Sequence, residues 1–128
     1  MKGLLIDVKD SKVRKVKAGT LTEYRKLIGC SYIDITCVKI GGRFYDVICD
    51  DEGYFEMEPI VSAVCEEDGK LVSALVGNLL ICGLCDEDGN ETDLSEDDIS
   101  EIKKSITWRL WATESRFRSV PLLRYSWR

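Results

Sequence analysis

Six cysteines are the side chains of this chain with the most obvious chemistry: Cys30, Cys37, Cys49, Cys65, Cys82 and Cys85. An even count invites a disulfide framework, yet a chain of 128 residues is long enough to build a core of its own. Cys37, Cys49 and Cys82 fall inside apolar, β-like runs, where a free thiol behaves as a small hydrophobe. Cys82-Gly83-Leu84-Cys85 is a C-x-x-C. A redox role wants that motif at a helix N-terminus, where the helix dipole lowers a thiol pKa. Here it ends an expected strand and runs into an acidic turn, which acts in the opposite direction. A zinc site wants a second close pair or histidines, and the chain has neither. The expectation is six reduced thiols with no metal and no disulfide.

Acid-acid-acid-Gly occurs three times, at residues 50–53, 66–69 and 86–89. Clustered carboxylates suit a hard cation such as calcium. Asp86-Glu87-Asp88-Gly89 lacks the ligand spacing and the glutamate of an EF-hand loop. Turn chemistry explains the pattern more simply, since short polar side chains bond nearby amides and glycine accepts a positive φ. Histidine is absent, which removes the commonest general base. There is no glycine-rich phosphate loop and no nucleophile elbow. The chain is therefore expected not to be an enzyme and to need no cofactor.

Charge and aromatic residues are unevenly placed. Residues 86–101 carry nine acidic groups and no basic one, and residues 102–128 carry seven basic and one acidic, within a formal net charge of -5. An acidic surface made of Asp86, Glu87, Asp88, Glu91, Asp93, Glu96, Asp97 and Asp98 repels nucleic-acid phosphates, but it resembles them to a protein that binds DNA. The last 21 residues hold five of the eleven aromatic side chains. Trp108, Arg109, Trp111, Arg116, Phe117, Arg118, Arg124, Tyr125 and Trp127 form the candidate binding set, because Trp, Tyr and Arg so often dominate interface energies. Arginines on phosphates with aromatics stacked on bases would be the nucleotide-binding version of the same chemistry.

The elements that must position these groups can be read from periodicity. Leu4, Ile6 and Val8 alternate, so residues 2–8 read as a strand, with 13–18 as a more exposed hairpin partner. Thr20-Leu21-Thr22-Glu23 is a capping-box pattern and Gly29 a natural stop, which predicts a helix over about 21–28. Residues 32–40 and 44–48 read as strands joined at Gly41-Gly42. Pro59 and the residues after it are ambiguous between a short helix and a loop. Leu71 to Val76 and Leu79 to Leu84 read as strands at the sheet centre. Ser95 with Glu96, Asp97 and Asp98 starts a second helix. Ile99, Ile102, Ile106 and Leu110 extend its apolar face, which predicts a helix over about 96–112. The fold class is α+β: a small antiparallel-rich sheet, two helices, and an irregular C-terminal tail.

The order of parts then becomes recognisable. The Met1-Lys2-Gly3-Leu4-Leu5-Ile6-Asp7 strand precedes a helix ending Leu27-Ile28-Gly29, followed by Tyr32-Ile33-Asp34. Arg43-Phe44-Tyr45-Asp46-Val47-Ile48-Cys49-Asp50-Asp51-Glu52-Gly53 comes next. Val76-Gly77-Asn78-Leu79-Leu80-Ile81-Cys82-Gly83 and Leu94-Ser95-Glu96-Asp97-Asp98-Ile99 close the series. The chain resembles the domain-of-unknown-function 3846 family over about residues 1–106. That divides it into an α+β domain, 1–106, and an aromatic and arginine-rich extension, 107–128. The resemblance implies a small protein of phages, plasmids and other bacterial mobile elements, and brings no catalytic residues with it.

With no apolar run long enough to span a membrane and a start that turns acidic too soon for a signal peptide, the expected location is the cytoplasm of a bacterial host cell. The leading functional expectation is a non-enzymatic binding protein that blocks a host defence system by contact with one of its proteins, in the manner of an anti-CRISPR or anti-restriction inhibitor. The alternatives are a nucleotide-signal sponge, a nucleic-acid-binding accessory protein, and a structural or assembly protein. The C-terminal tail is expected to be covered by its own domain, by a second copy in a homodimer, or by a target.

Overall fold

A computed structural model describes all residues, 1–128. Strands β1 (Lys2–Asp7) and β2 (Lys12–Lys17) form the first hairpin, and α1 (Leu21–Ile28) comes after it. Strands β3 (Ile33–Ile40) and β4 (Arg43–Asp50) form the second hairpin, and a 3-10 turn (Gly53–Phe55) leads to β5 (Val61–Glu67) and β6 (Lys70–Val76). Then come β7 (Leu79–Cys82), α2 (Glu96–Lys104), β8 (Ile106–Ala112) and β9 (Phe117–Arg124). The strands make two sheets, in the orders β2-β1-β7-β4-β3 and β6-β5-β9-β8. Every pairing is antiparallel except β5 with β9.

Alternation along the strands sorts side chains into two cores. Leu4, Ile6, Val8, Val38, Ile40, Val47, Leu79 and Ile81 cover one face of the five-stranded sheet and meet Ala63, Cys65, Leu123 and Tyr125 from the four-stranded sheet. Ile99 and Ile102 of α2 join this larger core. Leu5, Val16, Ile48, Leu80 and Cys82 face the other way and are covered by Ile28, Tyr24 and Leu27 of α1. The molecule is thus helix on sheet on sheet, the layered solution for a sheet with two apolar faces. Buried Asn78 pins the layers. Its Oδ1 accepts from the Val8 amide at 3.0 Å, while its Nδ2 donates to the Leu27 carbonyl at 3.5 Å.

Both helices start where expected. Thr20 accepts from the Glu23 amide, and Ser95 and Asp98 form a reciprocal capping box, an arrangement worth about 1 kcal/mol. The second helix is shorter than its periodicity predicts, ending at Lys104, with residues 106–112 forming β8. Ile106 and Leu110 satisfy helical spacing, but Ile106, Trp108 and Leu110 also alternate with Thr107, Arg109 and Trp111. β-branched and aromatic side chains favour the extended choice once a partner strand exists. That partner is β9, so residues 107–128 are not an irregular tail: β9 lies inside the four-stranded sheet, between β5 and β8. Proline inside a central strand has a local explanation. Pro121 lies opposite Trp108, and β5 pairs with β9 only at Leu123 and Arg124. The missing donor falls where no acceptor stands.

Two further differences concern placement. The ambiguous stretch after Pro59 enters β5. β6 is an edge strand, with Leu71 and Val72 exposed, and only β7 of the two expected central strands is central. No helix is long and apolar enough to cross a membrane.

Candidate functional site

The aromatic and arginine set of the C-terminal segment divides into structural and free members. Tyr125 is in the core and stacks edge-on against Trp127, 5.4 Å between ring centroids. The Trp127 Nε1 donates to Ser73 Oγ at 3.2 Å. Arg109 donates to the Val61 carbonyl at 3.0 Å and lies over the Trp111 ring, 5.2 Å from its centroid. Arg124 pairs with Glu66 at 3.1 Å, and Arg118 donates to the Lys9 carbonyl. These contacts hold sheets and turns together. Arg116 at the hairpin tip, Trp108 and Phe117 remain in solvent, joined by Leu110, which helical spacing places on a buried helix face. The register puts Trp108, Leu110 and Phe117 on one face of the β8–β9 hairpin, the face that carries Ile106 and Leu123 further back into the core.

The acidic stretch divides in the same way. Asp93 accepts from the Lys2 amide at 2.7 Å, and Glu96 pairs with Lys15 at 2.8 Å. Asp86 accepts from the Asp88 and Asn90 amides, closing its turn. Asp98 accepts from Tyr45 Oη at 2.8 Å and from Arg43 at 3.0 Å. Burial alone would raise the Asp98 carboxyl, but the Ser95, Tyr45 and Arg43 donors overcome it and hold the group at about 2. Burial and the bond to Asp98 push the Tyr45 hydroxyl up to about 12. Glu87, Asp88 and Asp97 are left without a cationic partner. Much of this block therefore fastens α2 to the β2 and β4 strands.

Glu91 has a separate role. It reaches the α1 side of the five-stranded sheet, where Cys82 Sγ lies 3.4 Å away and the buried Asp46 carboxylate accepts from the Cys85 amide at 3.1 Å. Burial first, then the hydrogen bond and negative charge of Asp46, raise the Glu91 carboxyl to about 7. The Cys82 thiol donates to the Glu91 carboxyl, which ties the 83–95 loop to the sheet. Burial, followed by the Glu91 charge, also pushes the Cys82 thiol up. Cys82 of the C-x-x-C thus lies in surroundings that suppress its thiolate. All six cysteines are free thiols, but Cys37 is exposed rather than packed as an apolar residue. No group of three or more Cys, Asp or Glu side chains is arranged to hold a metal ion.

The most exposed large apolar side chains lie elsewhere, in the segment between β4 and β5. Phe55 is 85% exposed and Met57 100%. They lie among Asp50, Asp51, Glu52, Glu56 and Glu58, none of which forms a salt bridge. The segment is held at its base. The Asp51 amide donates to the Tyr32 carbonyl at 3.0 Å, Tyr54 Oη donates to the Ala74 carbonyl at 2.6 Å, and a Cβ on Gly53 would meet the Val76 carbonyl at 3.1 Å. Phe55, Glu56 and Met57 also line an open cleft with Tyr32, Cys30 and Asp50. From the sequence only the Asp50-Asp51-Glu52-Gly53 turn is legible. The available signal is Tyr54-Phe55-Glu56-Met57-Glu58, where apolar and acidic side chains alternate only briefly before Pro59.

Fold and surface define a two-sheet α+β domain that presents an anchored, acidic and apolar projection on one side and an exposed aromatic hairpin face on another. Over residues 1–107 the chain matches the model of a domain of unknown function, DUF3846, and it belongs to that family. The match stops at the second residue of β8, so most of β8 and all of β9 lie beyond it. No curated protein and no solved structure matches the chain.

Proposed function

We propose that the protein acts without catalysis, by docking the 51–58 segment onto another protein, and that its partner is a nucleic-acid-binding component of a host defence system which it blocks. The observation that supports this reading is the exposure of Phe55 and Met57 among five acids with no counter-ion. Apolar side chains fully in water contribute little to the fold, and they gain most when a partner covers them. The surrounding carboxylates steer that contact toward a basic surface, the kind that nucleic-acid-binding proteins carry. Anchoring through Gly53 and Tyr54 reduces the ordering cost of binding. Glu87, Asp88 and Asp97 add to the negative field.

The test is inhibition of DNA cleavage by purified restriction and CRISPR effectors. The reading expects one effector to be inhibited by the wild-type chain and released by Phe55→Ser with Met57→Ser, both fully surface changes. Inhibition that survives the double substitution, or no inhibition across the panel, contradicts it.

A further inference from the structure

The four strands that end the two sheets are not equally protected against pairing with another chain. β2 carries Lys12, Arg14, Lys15 and Lys17 among its six residues. β3 carries Asp34 and Lys39, and its edge is partly closed where Lys39 bridges Ser126. β6 is broken from a regular edge by two register irregularities against β5. Charges, bulges and covering segments are the usual defences of an edge strand. β8 has none of them. Its register with β9 is unbroken over seven residues, and its one charge, Arg109, is turned onto its own sheet at the Val61 carbonyl.

Hydrogen-bond parity identifies the free groups. The Arg124 amide donates to the Ser105 carbonyl, and the Thr113 amide donates to the Arg116 carbonyl. In an antiparallel ladder, bonded and non-bonded pairs alternate. Residues 105, 107, 109, 111 and 113 therefore direct their main-chain groups toward β9. Trp108, Leu110 and Ala112 direct theirs outward, from the same residues whose side chains form the exposed hairpin face. Trp108 is 51% exposed and Leu110 67%, and Phe117 of β9 beside them is 73% exposed.

We infer that β8 is a dimerisation edge, and that two copies of the chain pair their β8 strands antiparallel about a two-fold axis at Leu110, joining the four-stranded sheets into one continuous sheet. This goes beyond the proposed docking of the 51–58 segment and does not rest on it. The side chains select the register. A two-fold axis at Arg109 would set two arginines directly opposite, a like-charge pair that costs stability. An axis at Leu110 sets Leu110 against its symmetry mate and Trp108 against Ala112, each exchanging main-chain hydrogen bonds. It also sets Arg109 against Trp111 of the second copy, extending the cation–π contact each copy already makes.

The same axis carries the hairpin tip, with Glu114 and Arg116, to the end of α2 in the other copy, where Lys104 and Glu101 supply opposite charges. The uncovered apolar area of Trp108, Leu110 and Phe117 is roughly 300 Å² per copy, from the size of such side chains. With the strand edge and the tips added, the total falls near the lower end of specific interfaces, about 1,200 Å². The dimer is accordingly concentration-dependent.

Sedimentation equilibrium of the full chain tests the pairing, with hydrogen exchange as a second readout. The wild-type chain is expected to approach twice its 14.5 kDa mass at about 100 μM, a concentration suited to a micromolar Kd. The Trp108, Leu110 and Ala112 amides should gain protection as concentration rises. Leu110→Lys, at an exposed position, should be monomeric at the same concentration, with a melting temperature equal to that of the wild-type chain diluted until it too is monomeric. Leu71→Lys on the β6 edge is the control and should remain dimeric. If Leu110→Lys lowers folding stability, the amide protection of the wild-type chain decides alone. A wild-type mass that stays at one chain, a dimer that survives Leu110→Lys, or protection appearing at another edge overturns the inference. Each of these leaves the docking role of Phe55 and Met57 untouched.

Discussion

Glu91 shows how much a single carboxyl can add to this fold. Its carboxyl is raised to about 7 in the folded chain, well above the usual value near 4.5 for an unfolded glutamate. A raised value means that the folded state holds a proton the unfolded state releases. Stability from this group is complete below the unfolded value and is lost as pH rises through about 7. Glu91→Gln keeps the side-chain oxygen that accepts from Cys82 and cannot titrate. The variant should melt progressively higher than the wild-type chain as pH goes from 5 to 8, measured by thermal denaturation at each pH. A constant difference between the two chains would show that Glu91 does not hold its proton against Asp46. Nothing in the sequence signals this pair: Asp46 lies mid-strand and Glu91 in an acidic turn, and only the pairing of β4 with β7 brings them together. The capping roles of Thr20, Ser95 and Asp98 were legible because capping is local in sequence.

Among the elements, the first hairpin, both helix starts and the β3–β4 hairpin could be read from alternation, caps and Gly41-Gly42, since each signal lies within a few residues of the element it specifies. β8 and β9 could not. Ile106 and Leu110 fit two periodicities, and Pro121 argues against a central strand until the short β5 pairing is known. The choice is made by tertiary partners far away in the chain. This gives the C-terminal strands a structural role as well as a surface one. Deletion after Lys104 removes Leu123 and Tyr125 from the larger core, with the buried Val120 and Leu122, and leaves β5 without a neighbour on one side. The truncated chain should lose its cooperative melt and aggregate, as followed by circular dichroism and light scattering. A truncated chain that melts cooperatively near the wild-type temperature would mean that β9 is dispensable to the domain.

At the scale of the whole molecule, the two exposed apolar features lie on different elements and are proposed to meet different partners. The hairpin face accompanies an unprotected strand edge and suits a second copy of the chain. The 51–58 segment stands on an anchored turn with uncompensated acids and suits a basic partner. In the sequence the long acidic block at 86–101 draws attention before the run around Phe55 does. Lys15 and Arg43 neutralise Glu96 and Asp98 within the fold, whereas the shorter run around Phe55 keeps its charge. The measurement that bears most directly on the central claim is competition: the affinity of the full chain for a DNA-cleaving effector it inhibits, with and without saturating duplex DNA. The account predicts that duplex DNA and the wild-type chain exclude one another, that salt weakens the contact, and that Phe55→Ser with Met57→Ser lowers affinity by at least tenfold, about 1.4 kcal/mol. Simultaneous binding of chain and duplex, with affinity unchanged by the double substitution, would contradict it.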